Sequence, residues 1–144
     1  MNIGEVLDQK PGRPALVTIG PEAGVRELLA LLSEHNVGAV VVSGDGTTMQ
    51  GIVSERDVVR HLHADGTVVN NTVGAIMTSA VETCSPEHTL DEVMALMTER
   101  RFRHLPVLRD GALLGIVSIG DVVKHKITQL EFERDQLDSY VHQT

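Results

Sequence analysis

Two short stretches hold the residues best placed to do chemistry. "GIVSERDVVRHL" runs from Gly51 to Leu62 and "GIVSIGDVVKHK" from Gly115 to Lys126, so Ser54 stands three residues before Asp57 and Ser118 three before Asp121. At the junction of a strand and a helix, that spacing has two uses. A serine at the N-cap and a carboxylate at the third helical position satisfy unpaired N–H groups of the first turn, stabilising the helix by about 0.5–2 kcal/mol. The same geometry turns backbone N–H groups, a hydroxyl and a carboxylate towards one crevice. A carboxylate accepts from two vicinal hydroxyls at once, as a ribose offers them, and N–H groups at a helix start favour phosphate. Capping alone does not require Gly-Ile-Val immediately upstream in both copies.

The elements that must position these residues are duplicated too. "TIGPEAGVRELLALLSEHNVGAVVV" from Thr18 aligns with "TCSPEHTLDEVMALMTERRFRHLPV" from Thr83, pairing Pro21 with Pro86, Glu22 with Glu87, Ala30 with Ala95 and Val42 with Val107. Each copy opens on a short alternating stretch (Leu16 to Ile19; Val81 to Cys84), then Pro-Glu leads into a segment of helical period. Val25, Leu28, Leu29 and Leu32 form its apolar stripe in the first copy; Leu90, Val93, Met94 and Met97 form it in the second. A strand follows (Gly38 to Val42; His104 to Leu108), then a Gly/Asp turn, a second strand (Ile52-Val53; Ile116-Val117) and a last helix starting near Ser54 or Ser118. The expected fold is therefore α/β of the α+β kind: two β-α-β-β-α repeats packed about a pseudo-twofold axis, each sheet completing the other's core. The expected units are residues 1–65, a linker at 66–74, residues 75–127, and a helical extension at 128–144. Met1 to Pro14 reads as the lead-in to the first unit and "TVGAIMTSA" as the lead-in to the second.

Composition narrows the function. The formal charge of −8 argues against a chain that wraps nucleic acid or lies on an anionic membrane. No apolar run approaches the ~20 residues that cross a bilayer, and the first residues lack a secretory signal pattern, so a soluble cytoplasmic protein is expected. Aromatic residues are 2% of the chain with no Trp, so a flat ligand is expected to be gripped by aliphatic side chains and backbone. Cys84, the single cysteine, excludes an internal disulfide and reads better as a small filler in a half-buried strand than as a redox sensor. His61 and His63 are poorly spaced for a shared metal, and no nucleophile elbow, Walker loop or dinucleotide fingerprint occurs, so neither a metal site nor catalysis is expected.

The repeated G-h-h-S-x-x-D-h-h (h, apolar), the T-x-x-P-E lead into a helix and "RHLPVL", in this order from about Val6 to Ile127, resemble a tandem pair of CBS domains, the adenosine-nucleotide-sensing repeats also called a Bateman module. The chain is similar to freestanding bacterial CBS-pair signal-transduction proteins. The resemblance implies a regulatory module, not an enzyme, that takes AMP, ADP, ATP or NAD as a regulatory ligand, requires no cofactor, forms a homodimer and reports to a regulated protein partner. It implies that Asp57 and Asp121 hold a ribose, with Ser54 and Ser118 along the sugar and phosphate. It implies too that each site is built across the repeats. One site would join Ser54, Arg56 and Asp57 to Val81, Thr83, Arg103, His104 and Pro106; the other would join Ser118 and Asp121 to Leu16, Thr18, Gly38, Ala39 and Val40.

The two sites are chemically unequal. "ERRFRHLPV" brings Arg100, Arg101, Arg103 and His104 near the first, and Arg56 can add a bidentate fork for phosphate oxygens. The second has Gly120 where Arg56 stands and Gly38-Ala39 where Arg103-His104 stand, and so favours a less anionic ligand or none. A competing reading makes both Ser-Asp pairs simple caps in a docking or dimerisation module. A nucleotide hydrolase is a third reading, and turnover would be needed to support it. The last stretch, "DVVKHKITQLEFERDQLDSYVHQT", has Val123, Ile127, Leu130, Leu137 and Val141 at three- and four-residue steps, interrupted by Arg134. It predicts one long amphipathic helix, with two uses open to its stripe: covering the module's own core or, the favoured one, pairing with its copy in a second chain.

Overall fold

The computed structural model describes residues 1–9 and 16–142. In order, the elements are α1 (Ile3–Asp8), β1 (Thr18–Ile19), α2 (Val25–His35), β2 (Ala39–Val42), β3 (Gly51–Ser54), α3 (Glu55–Ala64), a 3-10 turn (Val68–Asn70), α4 (Val73–Ile76), α5 (Leu90–Arg100), β4 (His104–Arg109), β5 (Ala112–Ser118) and α6 (Ile119–His142). The expected α+β order of the two repeats is present, with the long C-terminal helix. Of the expected lead-in and extension, Lys10 to Pro14 and Gln143-Thr144 lie outside the described residues.

In the first unit β1 runs parallel to β2, and β2 pairs antiparallel with β3, Ala39 opposite Ser54. The second unit repeats the antiparallel pair as β4 and β5, His104 opposite Ser118. Its expected opening strand, Val81 to Cys84, shrinks to one parallel bridge between Cys84 and Val107, the counterpart of Ile19 against Val42 in β1. β5 is longer than its counterpart β3 because its hairpin is tighter. Asp110 and Gly111 both take positive φ (52° and 81°), which suits a two-residue turn and carries the pairing to Arg109 and Ala112, past a register shift between Val107 and Leu108. The first copy has a wider loop there, gathered by Asp45, whose carboxylate accepts from Ser43 Oγ and from the N–H groups of Thr47 and Thr48 at 3.1, 2.8 and 2.7 Å.

Neither α2 nor α5 starts at its Pro-Glu. They begin at Val25 and Leu90, four residues after each proline, and α5 opens on a capping box in which Thr89 and Glu92 exchange hydrogen bonds. The prolines have another use, and the lead-in segments explain it. α1 packs on the second unit: Ile3, Val6 and Leu7 share a core with Cys84, Leu90, Val93, Met97, Leu105, Val107, Val117 and Val122. Its start is tied there by Ile3 N–H to the His88 carbonyl at 2.9 Å and Gly4 N–H to the Pro86 carbonyl at 3.0 Å. Reciprocally, Val68, Val73 and Ile76 complete the first unit's core with Val25, Leu28, Val40, Val42, Val53 and Val58. Val73 N–H donates to the Ala23 carbonyl and Gly74 N–H to the Pro21 carbonyl, both at 2.8 Å. Gly4 thus lies on Pro86 and Gly74 on Pro21; a Cβ would come within 3.2 Å of the Pro86 side chain and 2.9 Å of the Pro21 carbonyl. Each short helix closes the unit that does not follow it in sequence, which fastens the two halves together.

Candidate functional site

The start of α3 shows why Ser54 and Asp57 keep their spacing. β3 ends at Ser54 in extended geometry, Ser54 N–H and Oγ–H donate to Asp57 Oδ2 at 2.8 and 3.1 Å, and Asp57 N–H returns to Ser54 Oγ at 3.3 Å. The capping arrangement is real. Both of its side-chain bonds end on Oδ2, so the second carboxylate oxygen remains available to a ligand. At α6, Ser118 N–H donates to Asp121 Oδ2 at 3.0 Å and Asp121 N–H to Ser118 Oγ at 3.1 Å, the same construction.

Each helix start is fixed beside the start of a strand. Glu55 N–H donates to the Gly38 carbonyl at 2.9 Å, and Ile119 N–H to the Arg103 carbonyl at 2.8 Å. The two strand starts meet across the pseudo-twofold axis: a Cβ on Gly38 would lie 3.5 Å from His104 Cε1. At this junction opens a cavity of about 640 Å³ with Ser54, Arg56, Asp57, Val81, Arg103 and His104 in its wall. Residues of both repeats therefore face one space, as the first site requires. Gly38 and Ala39, which the family resemblance assigned to the second site, border this cavity instead.

The other expected residues are placed differently. Thr83 is exposed, Pro106 is buried with its carbonyl accepting from Cys84 N–H at 3.0 Å, and neither borders the cavity. Arg100 is also absent from its wall and pairs with Glu82 at 2.9 Å. Leu16 and Thr18 are half-buried at β1, while Val40 is buried in the first unit's core, which leaves its backbone as the part able to meet a ligand.

Several cavity residues were not singled out from sequence. Arg60 follows Arg56 by one helical turn and enters the same wall, a placement that the four-residue step alone could have revealed. Thr78 and Ala80 arrive because Thr78 exchanges both backbone bonds with Ile52 at 2.9 Å, a bridge without a sequence signal. Phe102 corrects the expectation of a purely aliphatic grip, since its ring-bearing side chain joins Val59, Ala80 and Val81 in the wall. Arg101, by contrast, was expected near this site, and it reaches the cavity from a left-handed backbone position, φ 59°, at the C-cap of α5. The wall thus combines Arg56, Arg60, Arg101 and Arg103 with Glu55, Asp57 and Glu82 and with apolar residues, a lining able to hold a flat ring, a diol and an anion together.

Cys84 stands apart from this chemistry. It is buried, and burial pushes its thiol up to about 12, the condition of an inert filler rather than a nucleophile. Among the described residues no helix is long and apolar enough to cross a membrane, and no cluster of His, Cys, Asp and Glu could hold a metal.

Comparison with known proteins agrees with this architecture. The CBS domain family matches residues 4–64 and 73–127. The crystal structure of a CBS-domain containing protein from Agrobacterium tumefaciens is 41% identical, with a TM-score of 0.81 over 88% of this chain and 99% of that one. The crystal structure of CBSX2 in complex with AMP is 29% identical, with a TM-score of 0.72 over 88% of this chain and 96% of that one. The mitochondrial CBS domain-containing protein CBSX3 of Arabidopsis thaliana is 38% identical over 122 residues, 81% of this chain but 59% of the length of that relative. With both repeats matched and their sheets, helices and shared cavity in place, the chain belongs to the CBS-domain family.

Proposed function

We propose that this protein is a regulatory module that binds a phosphate-bearing adenosine ligand in the cavity between Ser54–Asp57 and Arg101–His104. Occupancy would pass to a protein partner through a change of shape or of dimer packing. The observation that carries the reading is the cavity itself, where a half-engaged carboxylate, a helix start and four arginines from two repeats surround one space. A ligand bridging those elements stabilises one arrangement of the two halves over others, and that differential is what a sensor transmits. The complex of CBSX2 with AMP supports AMP as the first ligand to try, with ADP, ATP and NAD as its competitors. In this reading the side at Ser118 and Asp121 takes a less anionic ligand or none, because Gly120 stands there in the place of Arg56. No catalytic step and no resident cofactor belong to this reading; a cytoplasmic setting suits the single buried thiol.

The observed caps favour a second reading, in which Ser54–Asp57 and Ser118–Asp121 serve stability alone and the module docks to a partner without nucleotide. Isothermal titration with AMP, ATP and NAD in turn separates the two. Saturable binding near one per chain that Asp57→Asn weakens about tenfold or more supports the sensor, while silence with all three leaves the docking module.

A further inference from the structure

Among the described residues, no ion pair or hydrogen bond engages the guanidinium of Arg56, Arg60, Arg101 or Arg103, although all four stand in the wall of one cavity. The duplication supplies an internal control on what they are for. At the matching positions of the other repeat stand Gly120 for Arg56, Lys124 for Arg60, Asn36 for Arg101 and Gly38 for Arg103. The cap that opens α6, the C-cap of α2 and the start of β2 form there without any arginine. The scaffold therefore has no need of these charges, and a ligand does. The carboxylates of the wall offset them only in part. Glu82 is matched by Arg100 at 2.9 Å, which leaves Glu55 and Asp57 against four guanidiniums. A cleft with that excess of one sign concentrates anions, the more strongly the more charge they carry.

Arg60 marks how far the negative charge extends. One phosphate at the start of α3 is served by the N–H groups of the first turn and by Arg56. Arg60 stands a turn later on the same face, about 6 Å farther along the helix axis, and still borders the cavity. A single phosphate held at the helix start leaves it without a partner, whereas a longer phosphate chain brings further ionised oxygens towards it. We propose that Arg60 makes this cavity selective for adenosine ligands that end in a di- or triphosphate over AMP, an inference that rests on the nucleotide reading above. The chain of phosphates runs along α3 from Arg56 to Arg60, and Arg101 and Arg103 add charge from the second unit. AMP remains a weaker ligand of the same space.

Isothermal titration of the full chain with AMP, ADP and ATP in metal-free buffer reads the selection. ATP binds about tenfold or more tighter than AMP, with ADP between them. Arg60→Gln, at an exposed position of α3 outside both cores, shrinks that ratio about fivefold or more. Arg60→Lys keeps the charge and recovers most of the ratio. Partial unfolding lowers both affinities alike and does not mimic a change in their ratio. AMP bound as tightly as ATP, or a ratio that Arg60→Gln leaves unmoved, overturns the selection while the nucleotide cavity stands. A ratio as low in Arg60→Lys as in Arg60→Gln overturns charge as its cause. Silence with all three nucleotides overturns the nucleotide reading itself, and the selection falls with it.

Discussion

Gly51 lies against the backbone of Thr78 so closely that a Cβ there would sit 2.6 Å from the Thr78 carbonyl oxygen, the same oxygen that accepts from Ile52 N–H at 2.9 Å. The glycine of the repeated phrase is therefore where β3 receives the segment that follows α4. Its counterpart Gly115 receives Leu7, whose Cδ2 would lie 3.0 Å from an added Cβ. This contact, not the helix cap, accounts for Gly before Ile-Val in both copies. The two positions differ in what must yield: backbone at Gly51, a side-chain methyl at Gly115. Gly51→Ala is expected to cost about 1–3 kcal/mol in urea unfolding, and Gly115→Ala less, because Leu7 can rotate. Equal losses would contradict the distinction.

Asp57 separates stability from binding. Asn at that position keeps an oxygen for the Ser54 bonds and loses the charge that favours ribose hydroxyls. Asp57→Asn is expected to melt near the parent and to bind AMP about tenfold or more weakly, since one charge-assisted bond is worth about 1.5–3 kcal/mol. Asp57→Ala also removes the carboxylate half of the capping box, while the residue-57 N–H keeps its bond to Ser54 Oγ, and should lose about 0.3–1 kcal/mol of stability. Calorimetry and thermal melting on both variants check the pair.

The order of elements was legible because apolar period, turn residues and duplication all agree. Ser54, Arg56, Asp57, Arg103 and His104 share a cavity because the repeat spacing places matching helix and strand starts at one junction. What remained hidden depends on contacts between segments far apart in sequence. Nothing in "IGEVLD" says that it closes the second unit, since its apolar pattern would suit either core. Phe102 was hard to place for a related reason: the turn after α5 decides where it points, through one left-handed residue, Arg101, with no glycine to announce it.

Two titrating groups give pH signatures of opposite sign. Burial raises the Cys84 thiol from an ordinary value near 9 to about 12, so the unfolded chain ionises first. Its contribution to stability is complete below about pH 9 and is lost progressively as pH rises towards 12. Asp45 is held down to about 2, first by the Thr48 and Thr47 N–H groups and then by Ser43, so its contribution is present above an ordinary value of 3.8 and lost as pH falls towards 2. Amide exchange at Thr47 and Thr48 should accelerate across that acidic window and not at neutral pH. In the alkaline window, Cys84→Ala should flatten the decline in melting temperature seen in the parent.

Arg101 sets stability against binding. It occupies the left-handed C-cap of α5 at φ 59°, where the equivalent residue of α2 is Asn36 at φ 52°. Asparagine and glycine suit that backbone, whereas a long side chain is strained there by about 1 kcal/mol. The strained residue is also one of four arginines in the cavity wall, the combination expected where backbone cost serves a site. Arg101→Gly should therefore raise stability by up to about 1 kcal/mol while weakening a phosphate-bearing ligand more than adenosine itself. Denaturation together with titration of AMP and adenosine reads both sides. Gained stability with unchanged AMP affinity would leave Arg101 as a strained cap alone, and loss of stability would remove the strain argument.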